Sequence, residues 1–322
     1  DCGFLDYCNS QEAEAQYPIH WLPGALKKEL KALIEHDDLR DMAQVPDALL
    51  NSTQRRVKRH TLSGKPYFDG AGAASALRGH ATPHYFLDFE TVSFAVPIWK
   101  GTRPYQQIPF QFVLVKQARN GKLERSDFLD LSGNDPSLAL ATNLIAACGE
   151  TGTIYAYNAS FEARIVKELA ERHPRLRREL MAIRERLFDL LKVTRDHYYH
   201  PAQQGSWSIK NVLPTLGSIL NYEDLKGVKD GGMAVDAYRR AIMPGATSAE
   251  KKSIELELKD YCRTDVLAMI YLCQHFDICK AVSRSRCNRI SAWCRAWPRR
   301  VVDVRCRPAA ACGIHAVAEV GC

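Results

Sequence analysis

The chain has 322 residues, enough for one large core with a smaller appendage. It contains no run of about 18 apolar residues, which excludes a membrane-spanning helix. Its net charge of +7 is carried by residues 279–322, where eight Arg and Lys280 stand against Asp303 and Glu319; elsewhere 35 basic and 35 acidic groups cancel. Overall basicity is therefore no evidence that the folded part binds nucleic acid, and any such binding must come from local placement. The start carries no signal-peptide pattern and is not Met, so a fragment of a longer protein is expected. Nothing in the cysteine usage points to an oxidising compartment, and cytoplasmic residence is expected.

Residues 1–22 are aromatic-rich and irregular, with Cys2 and Cys8 close together. From Gly24 to His36, Leu26, Leu30, Leu33 and Ile34 recur at helical spacing. Residues 37–83 are polar with scattered Gly and Pro and read as short helical turns and loop, completing an N-terminal connector over 1–83. From His84 the pattern changes. Strands are predicted at His84–Thr91, Pro109–Gln117, Lys122–Phe128 and Thr153–Tyr157, with Asn120-Gly121 as a hairpin turn. Helices are predicted at Pro136–Cys148, Ser160–Glu171, Leu176–Leu187, Met233–Met243 and Ser248–Phe276, and a short one over Ser206–Leu216 ends at Pro214. Three antiparallel strands, a helix, a parallel strand and further helices make an α/β domain over 84–278, with helices on both faces of a mixed sheet. Residues 279–322 are Arg- and Cys-rich without periodicity. Their cysteines include no Cys-x-x-Cys pair, which argues against a zinc site, and a disordered or non-native tail is expected.

Three short motifs carry potential chemistry. In Phe86-Leu87-Asp88-Phe89-Glu90-Thr91 the strand alternation places Asp88 and Glu90 on one side and Leu87 and Phe89 on the other, toward a core. Two adjacent carboxylates repel unless a cation lies between them; a solvated edge strand is the other reading. In Tyr155-Ala156-Tyr157-Asn158-Ala159-Ser160-Phe161-Glu162 a strand runs into a helix. Asn158 is placed to cap it and Glu162 falls in its first turn, where an anion is favoured, so plain capping explains the pair as well. In Asp260-Tyr261-Cys262-Arg263-Thr264-Asp265, Tyr261 and Asp265 are four apart and share a helix face.

The three motifs in this order resemble the DEDD superfamily of 3′–5′ exonucleases, in the subclass with Tyr in the third motif, over roughly His84 to Phe276. More narrowly, the runs Gly101-Thr102-Arg103-Pro104-Tyr105-Gln106, Ser208-Ile209-Lys210-Asn211-Val212 and Asp260–Asp265 resemble a bacterial domain family of unknown function, number 2779. Its longer members resemble a RecB-type nuclease joined to an exonuclease-like domain. The resemblance implies a ribonuclease H-like fold. It also implies two Mg²⁺ or Mn²⁺ ions held by Asp88, Glu90, Glu162 and Asp265, with Tyr261 orienting the attacking water. The second motif usually has Asp where this chain has Glu162, whose extra methylene carries the carboxylate more than ~1 Å further out. Asp189 is a reserve acid. Lys210 and Asn158, and the loop with Trp99, Lys100, Arg103, Tyr105 and Gln106, are candidate contacts to a single strand of DNA or RNA, though each also suits ordinary packing. Cys2 and Cys8 resemble the end of the cysteine cluster that holds an iron–sulfur centre in RecB-type nucleases. Four thiolates are needed, so no assembled cluster is expected in this chain, and the resemblance implies a RecB-type domain only in a longer parent. Hydrolysis of phosphodiester bonds at single-stranded ends is the expected activity. The alternatives are a non-catalytic nucleic-acid-binding or scaffolding domain, and a purely structural domain in which Asp88, Glu90 and Asp265 lie apart.

Overall fold

A computed structural model describes residues 15–24, 26–218 and 220–278. Cys2, Cys8 and the basic tail lie outside the described residues. Along the chain the helices are α1 (Lys28–His36), α2 (Ser52–Ser63), α3 (Gly70–Ala76), α4 (Ser137–Cys148), α5 (Ala159–Arg172), α6 (Arg177–Glu185), α7 (Leu190–His197), α8 (Ile209–Val212), α9 (Gly231–Ile242) and α10 (Ser248–Ile278). The strands are β1 (Tyr67–Phe68), β2 (His84–Val92), β3 (Ile108–Gln117), β4 (Leu123–Leu129), β5 (Thr153–Ala156), β6 (Leu187–Asp189) and β7 (Tyr198–Tyr199). Among the described residues no helix is long and apolar enough to cross a membrane.

Five strands form one mixed sheet in the order β4-β3-β2-β5-β6. β2 runs antiparallel to β3 and parallel to β5, and β5 is parallel to β6. β2 is thus central, and its two faces differ. Tyr85, Leu87 and Phe89 enter an apolar core with Phe112 and Leu114 of β3, Leu140 and Leu144 of α4, Ile165 and Val166 of α5, and Leu180 of α6. The opposite face, with Phe86, Asp88 and Glu90, looks toward α10. That helix is tied to the sheet where the buried amide of Gln111 donates to the Leu258 carbonyl at 3.0 Å, and α9 by Phe110 stacked on Tyr238 with ring centroids 3.9 Å apart. The register between β2 and β3 slips at Glu90/Thr91, a bulge beside the acidic pair.

Two stretches differ from their predicted form. β6 was expected as the end of a helix; it is a three-residue strand whose pairing with β5 is completed when Ile154 N–H donates to the Arg186 carbonyl. Within 37–83, α2 spans three turns. Its buried face is Gln54, Val57 and Thr61, so hydrophobic periodicity is missing from a helix that polar packing holds. Asn51 and Gln54 form a capping box at its start, Gln54 donates to the Pro23 carbonyl, and Thr61 bonds Tyr199 on β7. A smaller cluster of Leu22, Leu30, Met42, Val45 and Leu50 lies toward the N-terminus. Trp21 of that region meets the main body at Gly205, which has φ +77°; a Cβ there would overlap the Trp21 carbonyl.

The apolar face of the sheet carries the stability that the acidic face lacks. Leu144→Ala, at a fully buried position on α4, is expected to lower unfolding free energy by about 2–5 kcal/mol, read from urea denaturation midpoints.

Candidate functional site

An open cleft of about 300 Å³ lies where β2, α5, α8 and α10 meet. Asp88 and Glu90 enter it from β2, where strand alternation puts both on the face away from the apolar core. Glu162 enters from α5. The buried stripe of that helix runs Glu162, Ile165, Val166, Leu169 and Ala170, so this carboxylate occupies a position that spacing marks as core. Tyr261 and Asp265 enter from α10, in line with the buried Ile254, Leu258 and Met269. Again an acid sits on a packing stripe. The four motif acids, drawn from three separated stretches of the chain, therefore line one cavity.

Burial dominates the electrostatics. It drives the Asp88 carboxyl well above the usual carboxylate range, and the charges of Asp265, Glu90 and Glu162 push the same way. Glu90, 8 % exposed, is raised by burial and then by Asp265, against the pull of Lys210. Glu162, 3 % exposed, is pushed up to about 8, chiefly by burial, with Asp189 adding repulsion and a backbone N–H opposing it. Asp265 rises to about 6 by burial, held back by hydrogen bonds from Tyr222 and Tyr261 and by Lys210. The Tyr261 phenol is raised far above its ordinary range by burial and the neighbouring acids. Lys210 is the cation lining the cleft. Its ammonium donates to the Lys229 carbonyl at 2.9 Å and lies 4.9 Å from the Tyr261 ring centroid and 5.3 Å from that of Tyr222. α8, which carries it, is held through Trp207, whose indole donates to the Tyr198 carbonyl and whose own carbonyl accepts from Tyr157.

One ammonium facing four carboxylates leaves the site short of positive charge. Glu162 Oε2 is buried with no hydrogen-bond partner, and a cation is one counterpart that would satisfy it. Oxygen donors from Asp88, Glu90, Glu162 and Asp265 fit a hard divalent ion such as Mg²⁺ or Mn²⁺.

Several predicted contacts fall elsewhere. Asn158 lines the cleft but does not cap α5. It takes the left-handed conformation at φ 73°, its side-chain oxygen accepts from Ser160, and its N–H donates to Asp189. Asp189, the reserve acid, caps α7 by accepting from Leu191 N–H, so the same oxygen is engaged twice. Arg103 and Gln106 turn to Glu168 on α5, Tyr105 is 71 % exposed, and Trp99 is buried against the Gly133 carbonyl. None of this loop lines the cleft. Two residues were missed. Tyr222 donates to Asp265 Oδ1 at 2.6 Å from a single 3-10 turn, Tyr222–Asp224, too short for any periodicity to flag it. Cys262, with its Sγ 3.1 Å from Asp88 Oδ2, reads in sequence as one more apolar helix residue, although its place beside Tyr261 was a clue.

Residues 85–208 match a domain family described as a domain of unknown function, DUF2779. The chain is also similar to the MG366 homolog of Mycoplasma pneumoniae, 28 % identical over 206 residues covering 58 % of this chain and 31 % of that protein. MG366 of Mycoplasma genitalium is 27 % identical over 205 residues, covering 58 % of this chain and 30 % of that protein. Both are described as uncharacterized proteins, and the matched stretch spans about a third of each. No solved structure gives a significant match.

Glu162 makes the metal-free protein pH-sensitive with a definite sign. Between its ordinary value of 4.5 and about 8, the folded protein keeps a proton that the unfolded chain has lost, so its contribution to stability falls as pH rises through that window and levels off above it. Glu162→Gln removes this dependence. Melts in EDTA should show the variant gaining on the parent from pH 5 to 8, by a few kcal/mol at about 1.4 kcal/mol per pKa unit, and no further gain above pH 8.5.

Proposed function

We propose that the domain is a metal-dependent 3′–5′ exonuclease-like hydrolase acting on single-stranded nucleic-acid ends, built on a ribonuclease H-like sheet. The observation that carries this reading is the convergence of Asp88, Glu90, Glu162 and Asp265 on one cleft, with the buried Glu162 Oε2 left without a partner. The sheet order, three antiparallel strands followed by two parallel ones, supports the fold part of the reading. The four acids would hold two Mg²⁺ or Mn²⁺ ions. Bound there, the ions would supply an ionisable water and charge stabilisation at the scissile phosphate. Tyr261, its phenol kept protonated, orients the attacking water as a hydrogen-bond donor or acceptor. Lys210 meets the phosphate as a point charge. Phe161, Ile209 and Met269 give the terminal base an apolar wall that excludes water, and Asn158 stands at its exposed rim.

Two contacts favour the rival, a non-catalytic nucleic-acid-binding domain. Asp88 already accepts from the Cys262 thiol and Asp265 from Tyr222, so two of the four acids have internal partners. A 3′-labelled oligonucleotide separates the readings. The enzyme shortens it stepwise with Mn²⁺ or Mg²⁺, and Asp88→Ala reduces this to background; binding without shortening under either ion would leave the rival. Lys210→Ala should weaken single-strand binding uniformly across sequences and lower the slope of log K against log salt by about 1, read by fluorescence anisotropy in EDTA.

A further inference from the structure

Behind the acids of the cleft lies a donor that a hard-cation site does not need. Cys262 is fully buried on α10 with its sulfur 3.1 Å from Asp88 Oδ2, and one ligand atom each of Asp88, Glu90 and Cys262 lie within 4.8 Å of one another. We propose that Asp88, Glu90 and Cys262 form a mixed carboxylate–thiolate site that takes Zn²⁺, a borderline-soft divalent ion, in preference to Mg²⁺.

The geometry suits that ion. With Zn–S near 2.3 Å and Zn–O near 2.1 Å, tetrahedral coordination separates neighbouring ligand atoms by roughly 3.5 Å. The Sγ–Oδ2 separation is 3.1 Å and no pair of the set exceeds 4.8 Å, so the three donors already lie within reach of one ion. A thiolate favours Zn²⁺, whereas Mg²⁺ demands an octahedron of oxygens. A second, independent feature points to a cation: Glu162, lining the cleft with Asp88 and Glu90 and 3 % exposed, leaves Oε2 unpartnered. Binding exchanges the thiol proton for the metal; the proton leaves to solvent and nothing is oxidised. The inference rests on the reading above only in placing divalent cations at this cleft, and it adds a regulation. Asp88 and Glu90 serve both sets, so Zn²⁺ occupancy excludes Mg²⁺ and suppresses the proposed hydrolysis.

The test reads metal–sulfur bonding directly. The full chain, kept reduced, is titrated with Co²⁺ as a spectroscopic substitute for Zn²⁺, and the thiolate-to-cobalt charge-transfer absorption in the near ultraviolet is followed. Because other cysteines can also contribute, the result is the difference between variants. The parent should show one equivalent of band intensity that is lost in Cys262→Ser and equally in Asp88→Asn, retained in Cys148→Ser (a buried thiol of α4 outside the cleft), and displaced by Zn²⁺ but not by excess Mg²⁺. Circular dichroism melts confirm that each variant is folded, and Asp88→Asn decides the matter should Cys262→Ser fail to fold. Equal titrations of the parent and Asp88→Asn, or of the parent and folded Cys262→Ser, overturn the proposal. Failure of the nuclease reading looks different: the oligonucleotide stays intact while the thiolate band remains.

Discussion

Like charges gathered in a place with little water are the condition on which this structure turns. Asp88, Glu90, Glu162 and Asp265 line one cleft, and Lys210 is the ammonium that faces them. A carboxylate taken out of water must gain a proton, a hydrogen-bond donor or a cation. The first two are visible, and one oxygen is left with neither a donor nor a cation. Tyr222 donates to Asp265 and the Cys262 thiol to Asp88, Glu162 favours its proton up to about 8, and Glu162 Oε2 has no partner. Such an arrangement opposes folding, and the remainder of the molecule offsets it.

That offset comes from an asymmetry within a single strand. Alternate residues of β2 face opposite ways, so Leu87 and Phe89 join the large apolar core while Asp88 and Glu90 face α10. β2 is the middle strand of five, and hydrogen bonds on both edges hold its backbone against repulsion among its side chains. α10 is pinned above it by the Gln111 amide. A site of this kind needs rigid elements beneath it, because acids free to move would separate.

Closeness in the chain was a poor guide to closeness in space. The aromatic and cationic loop after β2 follows the acidic strand directly, yet Arg103 and Gln106 pair with Glu168 on the far side of α5. Cys262 and Tyr222 approach the acids from 174 and 43 residues away along the chain from their partners. The thiol contact is what the proposed Zn²⁺ site rests on. An all-oxygen set suits Mg²⁺, whereas a thiol against Asp88 opens it to softer ions.

The sequence by itself determined which face of each element is special. The alternation of β2 and the four-residue spacing of Tyr261 and Asp265 are local, because strand and helix periods are properties of the backbone alone. That Glu162 and Asp265 sit on otherwise buried stripes, before Ile165 and Val166 and between Leu258 and Met269, came from the structure. Tertiary structure alone decided which of these faces share a cavity. It made Leu187–Asp189 a strand through pairing with β5, turned Asp189 from reserve acid into a cap, let Asn158 take a left-handed turn, and brought Tyr222 and Cys262 to the acids. Those outcomes depend on register and long-range packing, which no local period encodes. The acidic strand was legible as a charged face from its own six residues; that its charges meet Glu162 and Asp265 follows only from the fold.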